Sequence, residues 1–108
     1  MAENLNRLLL GDRLSLESRQ LLRQWMLANT TGEKRLKAGL PPSWRIGDKT
    51  GSNATDSNDI GVVYAPGRAP VLIAAYLSGS ALDSAGRDAI LAEVARLIAG
   101  FLQDEPAR

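Results

Sequence analysis

The chain has 108 residues, enough for one hydrophobic core, and its 44% apolar and 23% charged content is that of an ordinary globular domain. A net charge of +1, with aromatics limited to two Trp, two Tyr and one Phe, provides neither strong attraction to nucleic acid or anionic membrane nor a base-stacking platform. Cysteine and histidine are absent, which excludes disulfides, thiolate or imidazole metal sites, and Cys- or Ser-His nucleophiles.

Met1-Ala2-Glu3-Asn4 lacks the basic-then-apolar pattern of a signal peptide, and the apolar runs are too short to span a bilayer, so a soluble chain is expected. Leu5, Leu8, Leu9 and Leu10 have the spacing of a short amphipathic helix, which Gly11-Asp12 ends. Ser15 is the expected N-cap of a second helix, with Ser18 as the alternative. In that helix Leu22, Trp25, Met26 and Asn29 share a face, which places Trp25 and Met26 in the core. Asn29-Thr30-Thr31-Gly32 stops it. Glu33–Ala38 is a basic segment of one or two helical turns, closed by Gly39. Pro41-Pro42 then forces extended backbone into a first strand, about 44–50.

The stretch 53–59 is all turn chemistry and reads as an exposed hairpin loop. A second strand is expected over about 60–65, and a third over about 71–78. The third, Val-Leu-Ile-Ala-Ala-Tyr-Leu, is nearly continuous in apolar residues and is therefore expected to be central. Short connections imply an antiparallel meander. Asp83 or Ser84 caps a long helix, about 84–103, with a stripe of Ile90, Val94, Leu97, Ile98 and Phe101, widened by Leu91, Ala95 and Leu102. Asp104-Glu105-Pro106 ends it. The fold class is α+β: N-terminal helices, a three-stranded antiparallel sheet with two open edges, and a long C-terminal helix.

The chemistry concentrates at the end of the first strand. Lys49 beside the Thr50 hydroxyl, followed by Gly51, makes a small cationic shelf suited to a carboxylate or phosphate. Taken alone, Lys49 is an ordinary strand-end lysine, Thr50-Gly51 is turn chemistry, and Arg35 belongs to a solvated basic turn.

Asp48-Lys49-Thr50-Gly51, preceded by Leu40-Pro41 and Trp44, resembles the Lys-Thr-Gly box of the class A serine β-lactamases. The order of its surroundings is also similar: Trp25-Met26, Asn29-Thr30-Thr31-Gly32, Asn58-Asp59-Ile60, Val62-Val63-Tyr64, Ala69-Pro70-Val71 and the closing helix. The resemblance covers residues 1–108 as one partial domain, the C-terminal portion of a β-lactamase/transpeptidase-like fold. The family's Ser-x-x-Lys, Ser-Asp-Asn and Glu-x-x-x-Asn segments have no counterpart here. Thr31-Gly32-Glu33-Lys34 has only the spacing of the first, and Ser57-Asn58-Asp59 reverses the second. Met1 therefore looks like a cut inside a helix of a larger enzyme.

The resemblance implies roles. Lys49 would strengthen the field around a serine hydroxyl, Thr50 would bind the β-lactam carboxylate, and Gly51 would admit substrate close to the strand. The Ser52 backbone N–H would be one of two oxyanion-hole donors, its hydroxyl a further carboxylate contact, and Asn53 would line the rim. An arginine near the carboxylate is also implied. Asp59-Ile60 occupies one position where the family places it, so Arg35 is preferred and Arg87 is second.

No cofactor or metal is implied. The implied partners are a β-lactam antibiotic, through the complete enzyme, and an N-terminal β-lactamase fragment or a second copy of the chain, not nucleic acid or membrane. The resemblance also implies a periplasmic or secreted parent enzyme. Three functions are open: a fragment of a serine β-lactamase, inactive alone; a stand-alone non-catalytic domain forming a homo-oligomer, with element exchange; and a small anion-binding module. The first is preferred.

Overall fold

The computed structural model describes residues 1–104. Helix α1 (Ala2–Leu5) runs into a π-helical turn, Asn6–Leu10, and is followed by α2 (Leu16–Leu27) and the short α3 (Leu36–Gly39). Strands β1 (Arg45–Ser52), β2 (Ser57–Tyr64) and β3 (Val71–Leu77) form an antiparallel sheet in the order β1-β2-β3, and α4 (Ser84–Gln103) closes the chain. The Ser15 hydroxyl caps α2 by accepting from Ser18 N–H at 3.1 Å, and Asp83 caps α4 by accepting from Gly86 N–H at 2.8 Å. Of the expected helix end at Asp104-Glu105-Pro106, Asp104 is the C-cap and the other two lie outside the described residues.

Helices cover both faces of the sheet. On one, Ile46, Val63 and Ile73 pack against Leu36, Leu40, Ala95 and Ala99 of the α3–α4 layer. On the other, Val62 packs with Leu5, Leu9 and Met26 of the α1–α2 layer. Adjacent residues on the central strand thus face separate cores, as strand alternation requires.

Four expectations are corrected. β3 is an edge strand, and β2 is central. The apolar run of β3 reflects helices on both faces, with Ile73 in one core and Leu72 against the other, not a partner on both edges. Second, β2 starts at Ser57, so the hairpin loop is only 53–56. Ser57 and Asp59 look like turn residues, but both are fully buried, with the Ser57 hydroxyl accepting from Arg87 and Asp59 from the Leu36 N–H.

Third, Met26 is buried but Trp25 is 67% exposed. Leu22 and Met26, one turn apart, face the sheet, and Trp25 lies about 100° around the helix from Met26. Fourth, α4 packs through Arg87, Leu91, Ala92, Ala95 and Ala99. Of the expected stripe, Leu91 and Ala95 are buried and Ile98 packs against the core, whereas Ile90, Leu97 and Phe101 are exposed. Small residues form the contact because α3 approaches the α4 backbone closely.

That approach explains Gly39, which is the last residue of α3 and not merely its stop signal. A Cβ there would lie 1.8 Å from the Ala92 carbonyl oxygen and 2.8 Å from its carbon, both backbone atoms. Gly39→Ala is expected to push α3 from α4 and cost about 2–3 kcal/mol, read as a lowered urea midpoint at unchanged slope.

Candidate functional site

Strand β1 divides its polar residues between the two faces of the sheet. Asp48, Thr50 and Ser52 point toward α3 and the loop before it, and Lys49 points toward α1 and α2. Thr50 Oγ1 lies 2.6 Å from Thr31 Oγ1, which donates to Asn29 Oδ1 at 2.9 Å, so Thr50 can donate to Thr31. Lys49 is exposed, and its ammonium donates to the Thr50 carbonyl.

Arg35 is buried behind the end of β1. Its Nε donates to Asp88 Oδ1 at 2.8 Å. One Nη1 group donates to the carbonyls of Gly51 at 3.1 Å and Asn58 at 2.9 Å, which are register partners on β1 and β2. Nη2 donates to the Ser52 hydroxyl. The guanidinium thus clamps the strand pair and brings positive charge to the back of Thr50-Gly51-Ser52. An ammonium has no such planar fork.

The remaining candidates are occupied in the hairpin. Asn53 Oδ1 accepts from the N–H groups of Thr55 at 3.0 Å and Asp56 at 2.8 Å, and its amide donates to Asp56. Arg87 is buried, donating to Ser57 Oγ and to the carbonyls of Asn53, Ala54 and Leu82. Arg87 therefore fastens the β1–β2 hairpin to α4, whereas Arg35 is the arginine at the Lys-Thr-Gly strand. Asp56 ties the hairpin to the next loop, and its bond from the Gly79 N–H, followed by those from Thr55 and Asn53, holds its carboxyl below the usual range.

A buried carboxyl pair lies under this strand. Asp48 accepts from Asn29 at 3.0 Å, and Asp59 accepts from the Leu36 N–H at 3.3 Å. Asp48 Oδ2 and Asp59 Oδ1 meet no protein donor. One proton held between the two carboxyls satisfies both oxygens. Burial, reinforced by the hydrogen bond to Asp48 and its like charge, pushes Asp59 up to about 8. Gly32 makes room for the pair: a Cβ there would lie 1.9 Å from Asp48 Oδ2. Sequence reading passed over this pair. The signal was Asp48 two residues from inward-facing Ile46, which puts a carboxyl at an interior position of the alternation.

No group of acidic residues suited to a metal occurs among the described residues, and no described helix is long and apolar enough to cross a membrane.

A model of the β-lactamase enzyme family matches residues 1–102. The chain belongs to that family. It is 45% identical over 97 residues to a β-lactamase of Streptomyces albus G, covering 89% of this chain and 31% of that protein. With β-lactamase AST-1 of Nocardia asteroides it shares 43% identity over 103 residues, covering 94% of the chain and 33% of the relative. An ancestral class A β-lactamase superposes with a TM-score of 0.91 at 53% identity, over 94% of this chain and 39% of that structure. A β-lactamase from Xanthomonas campestris gives 0.93 at 50%, over 94% and 39%. The chain is a partial class A β-lactamase that spans about a third of the length of these curated relatives.

Proposed function

We propose that this chain supplies the Lys-Thr-Gly wall of a class A β-lactamase site and is inactive without the complementary part of the enzyme. The observation that carries this reading is the Arg35–Ser52 contact together with Thr50 and Lys49: a positively charged, hydroxyl-bearing strand end on an open sheet edge. In this reading the Thr50 and Ser52 hydroxyls, backed by Arg35, bind the β-lactam carboxylate. Lys49 raises the positive potential around a serine supplied by the complement, and the Ser52 N–H donates to the developing oxyanion, a contact typically worth about 3 kcal/mol in the transition state.

Acyl transfer also needs a nucleophile and its base within hydrogen-bond reach. The serines that bound the β1–β2 hairpin are already engaged, Ser52 with Arg35 and Ser57 with Arg87. The chain alone is therefore expected to hydrolyse nitrocefin no faster than buffer. Adding the complementary part that carries the Ser-x-x-Lys, Ser-Asp-Asn and Glu-x-x-x-Asn segments is expected to restore turnover. Enzyme-like rates from the chain alone would overturn the proposal.

A second reading is favoured by the open edge of β3 and the exposed Ile90, Leu97 and Phe101 on α4. These surfaces suit a homo-oligomer formed by element exchange, in which light scattering would give a mass above one chain.

A further inference from the structure

We infer that arginines of α2 and of the start of β1 form a binding site for a doubly charged tetrahedral oxyanion, phosphate or sulfate. Arg45 opens β1 and is the register partner of Tyr64 on β2, so the two side chains stand together on the face that α2 covers. On α2, Arg19 and Arg23 are one turn apart, on the stripe that continues through Leu22 and Met26 onto that face. The Arg23 guanidinium lies over the Tyr64 ring, 5.2 Å from its centre. Arg23 and Arg45 thus flank one tyrosine and both act electrostatically on its hydroxyl, with Arg19 one turn further along α2.

This charge is unbalanced. Arg7, Arg35 and Arg96 each meet a carboxylate, and Arg87 is engaged by Ser57 and three carbonyls, but no described carboxylate pairs with Arg19, Arg23 or Arg45. Like charges one turn apart on a helix destabilise it. Donors also go unmet: Arg19 Nε and the Tyr64 hydroxyl are buried and meet no described partner. The unmet groups are cations and donors, so the occupant that suits them is an anion rich in acceptors. A carboxylate offers its oxygens along one edge, whereas a tetrahedral dianion faces α2 and β1 at once and accepts a guanidinium fork from each. Arg23 and Arg45 are both exposed and can turn toward it, and in doing so Arg23 leaves the tyrosine ring and opens its hydroxyl. Arg45 and Ser52 are the two ends of β1, about 23 Å apart at the usual rise per residue. The site therefore stands whether or not the Lys-Thr-Gly end lines a β-lactam site.

The test titrates the whole chain with inorganic phosphate, and separately with sulfate, at constant ionic strength in a chloride buffer near neutral pH. Nitrogen–proton NMR of the arginine Nε–H groups is expected to show saturable shifts at Arg19, Arg23 and Arg45 but not at Arg96, which is paired with Glu93. Calorimetry is expected to give one anion per chain. Arg45→Gln is expected to weaken binding about tenfold, the loss of one charge-assisted contact. Tyr64→Phe, which changes no charge, is expected to weaken it about fivefold through the lost hydroxyl donor. Lys34→Gln removes an equal charge from the rim of the groove between α3 and α4 and is expected to leave affinity unchanged. Shifts that never saturate, equal weakening in Lys34→Gln and Arg45→Gln, or undiminished binding in both Arg45→Gln and Tyr64→Phe would each overturn the assignment. Cooperative urea unfolding of every variant separates a lost site from a lost fold, and Arg23→Gln, also at an exposed position, replaces Arg45→Gln if that variant does not fold.

Discussion

Arg35→Ala is expected to lower the stability of the chain by about 3–5 kcal/mol, the usual cost of removing one partner of a buried ion pair. The side chains of Arg35 and Asp88 are only 8% and 18% exposed. Removing the guanidinium leaves the Asp88 carboxylate without its cation, and it strips donors from the Gly51 and Asn58 carbonyls and the Ser52 hydroxyl. Buried acceptors without donors carry their full desolvation cost. Since small domains are stable by about 5–15 kcal/mol in total, the loss is a large share of that stability, and the urea midpoint of this variant is expected to fall well below that of the parent chain. Arg35→Lys is expected to recover less than half the loss, because an ammonium cannot reach the aspartate and both strands at once. Asp88→Asn, which keeps an acceptor for Nε, is expected to cost less than Arg35→Ala. Full stability in Arg35→Ala would show that the clamp is redundant.

The second large effect is on pH dependence. Asp59 has an ordinary value of 3.8 and is pushed up to about 8 in the folded chain, first by burial and then by Asp48. Its folded value is raised, so its favourable contribution is complete below 3.8 and is lost as pH rises through about 8. Between those limits the unfolded chain releases a proton that the folded chain retains. Stability is therefore expected to fall with pH, with a slope approaching about 1.4 kcal/mol per unit. Asp59→Asn keeps an acceptor for the Leu36 N–H and supplies a fixed donor to Asp48. It is expected to flatten the slope and to be more stable than the parent at pH 8 by several kcal/mol, read from urea midpoints at successive pH values. An unchanged slope would mean that the pair does not share a proton. The groups around the pair are Asn29, the Leu36 N–H and the Arg35 guanidinium, and the last two moderate the rise, the Leu36 hydrogen bond first.

Much of this molecule was legible in its residues. Alternation and turn chemistry located the strands, Ser15 and Asp83 announced their helices, and Lys49-Thr50-Gly51 pointed to the family. The failures share a cause. Helical spacing assigned the large side chains Trp25, Leu97 and Phe101 to the packed faces, while the α3–α4 contact is built from Gly39, Ala92, Ala95 and Ala99. Close backbone approach selects small residues, and a hydrophobicity pattern gives those little weight. The buried charges were missed for a related reason. Asp48, Asp59, Arg35 and Arg87 are polar letters in stretches rich in polar letters, and only tertiary pairing separates a clamp from a solvated turn.

The two adjacent valines near the end of β2 have a consequence of their own. Val62 is 0% exposed and Val63 1%, and each belongs to a different core. Neither helical layer can peel away without baring the floor that the same strand presents to it, and a shift of one residue in β2 would exchange the floors of both. The sheet is a party wall between two rooms: the layers are built separately, yet the chain must gain or lose them together.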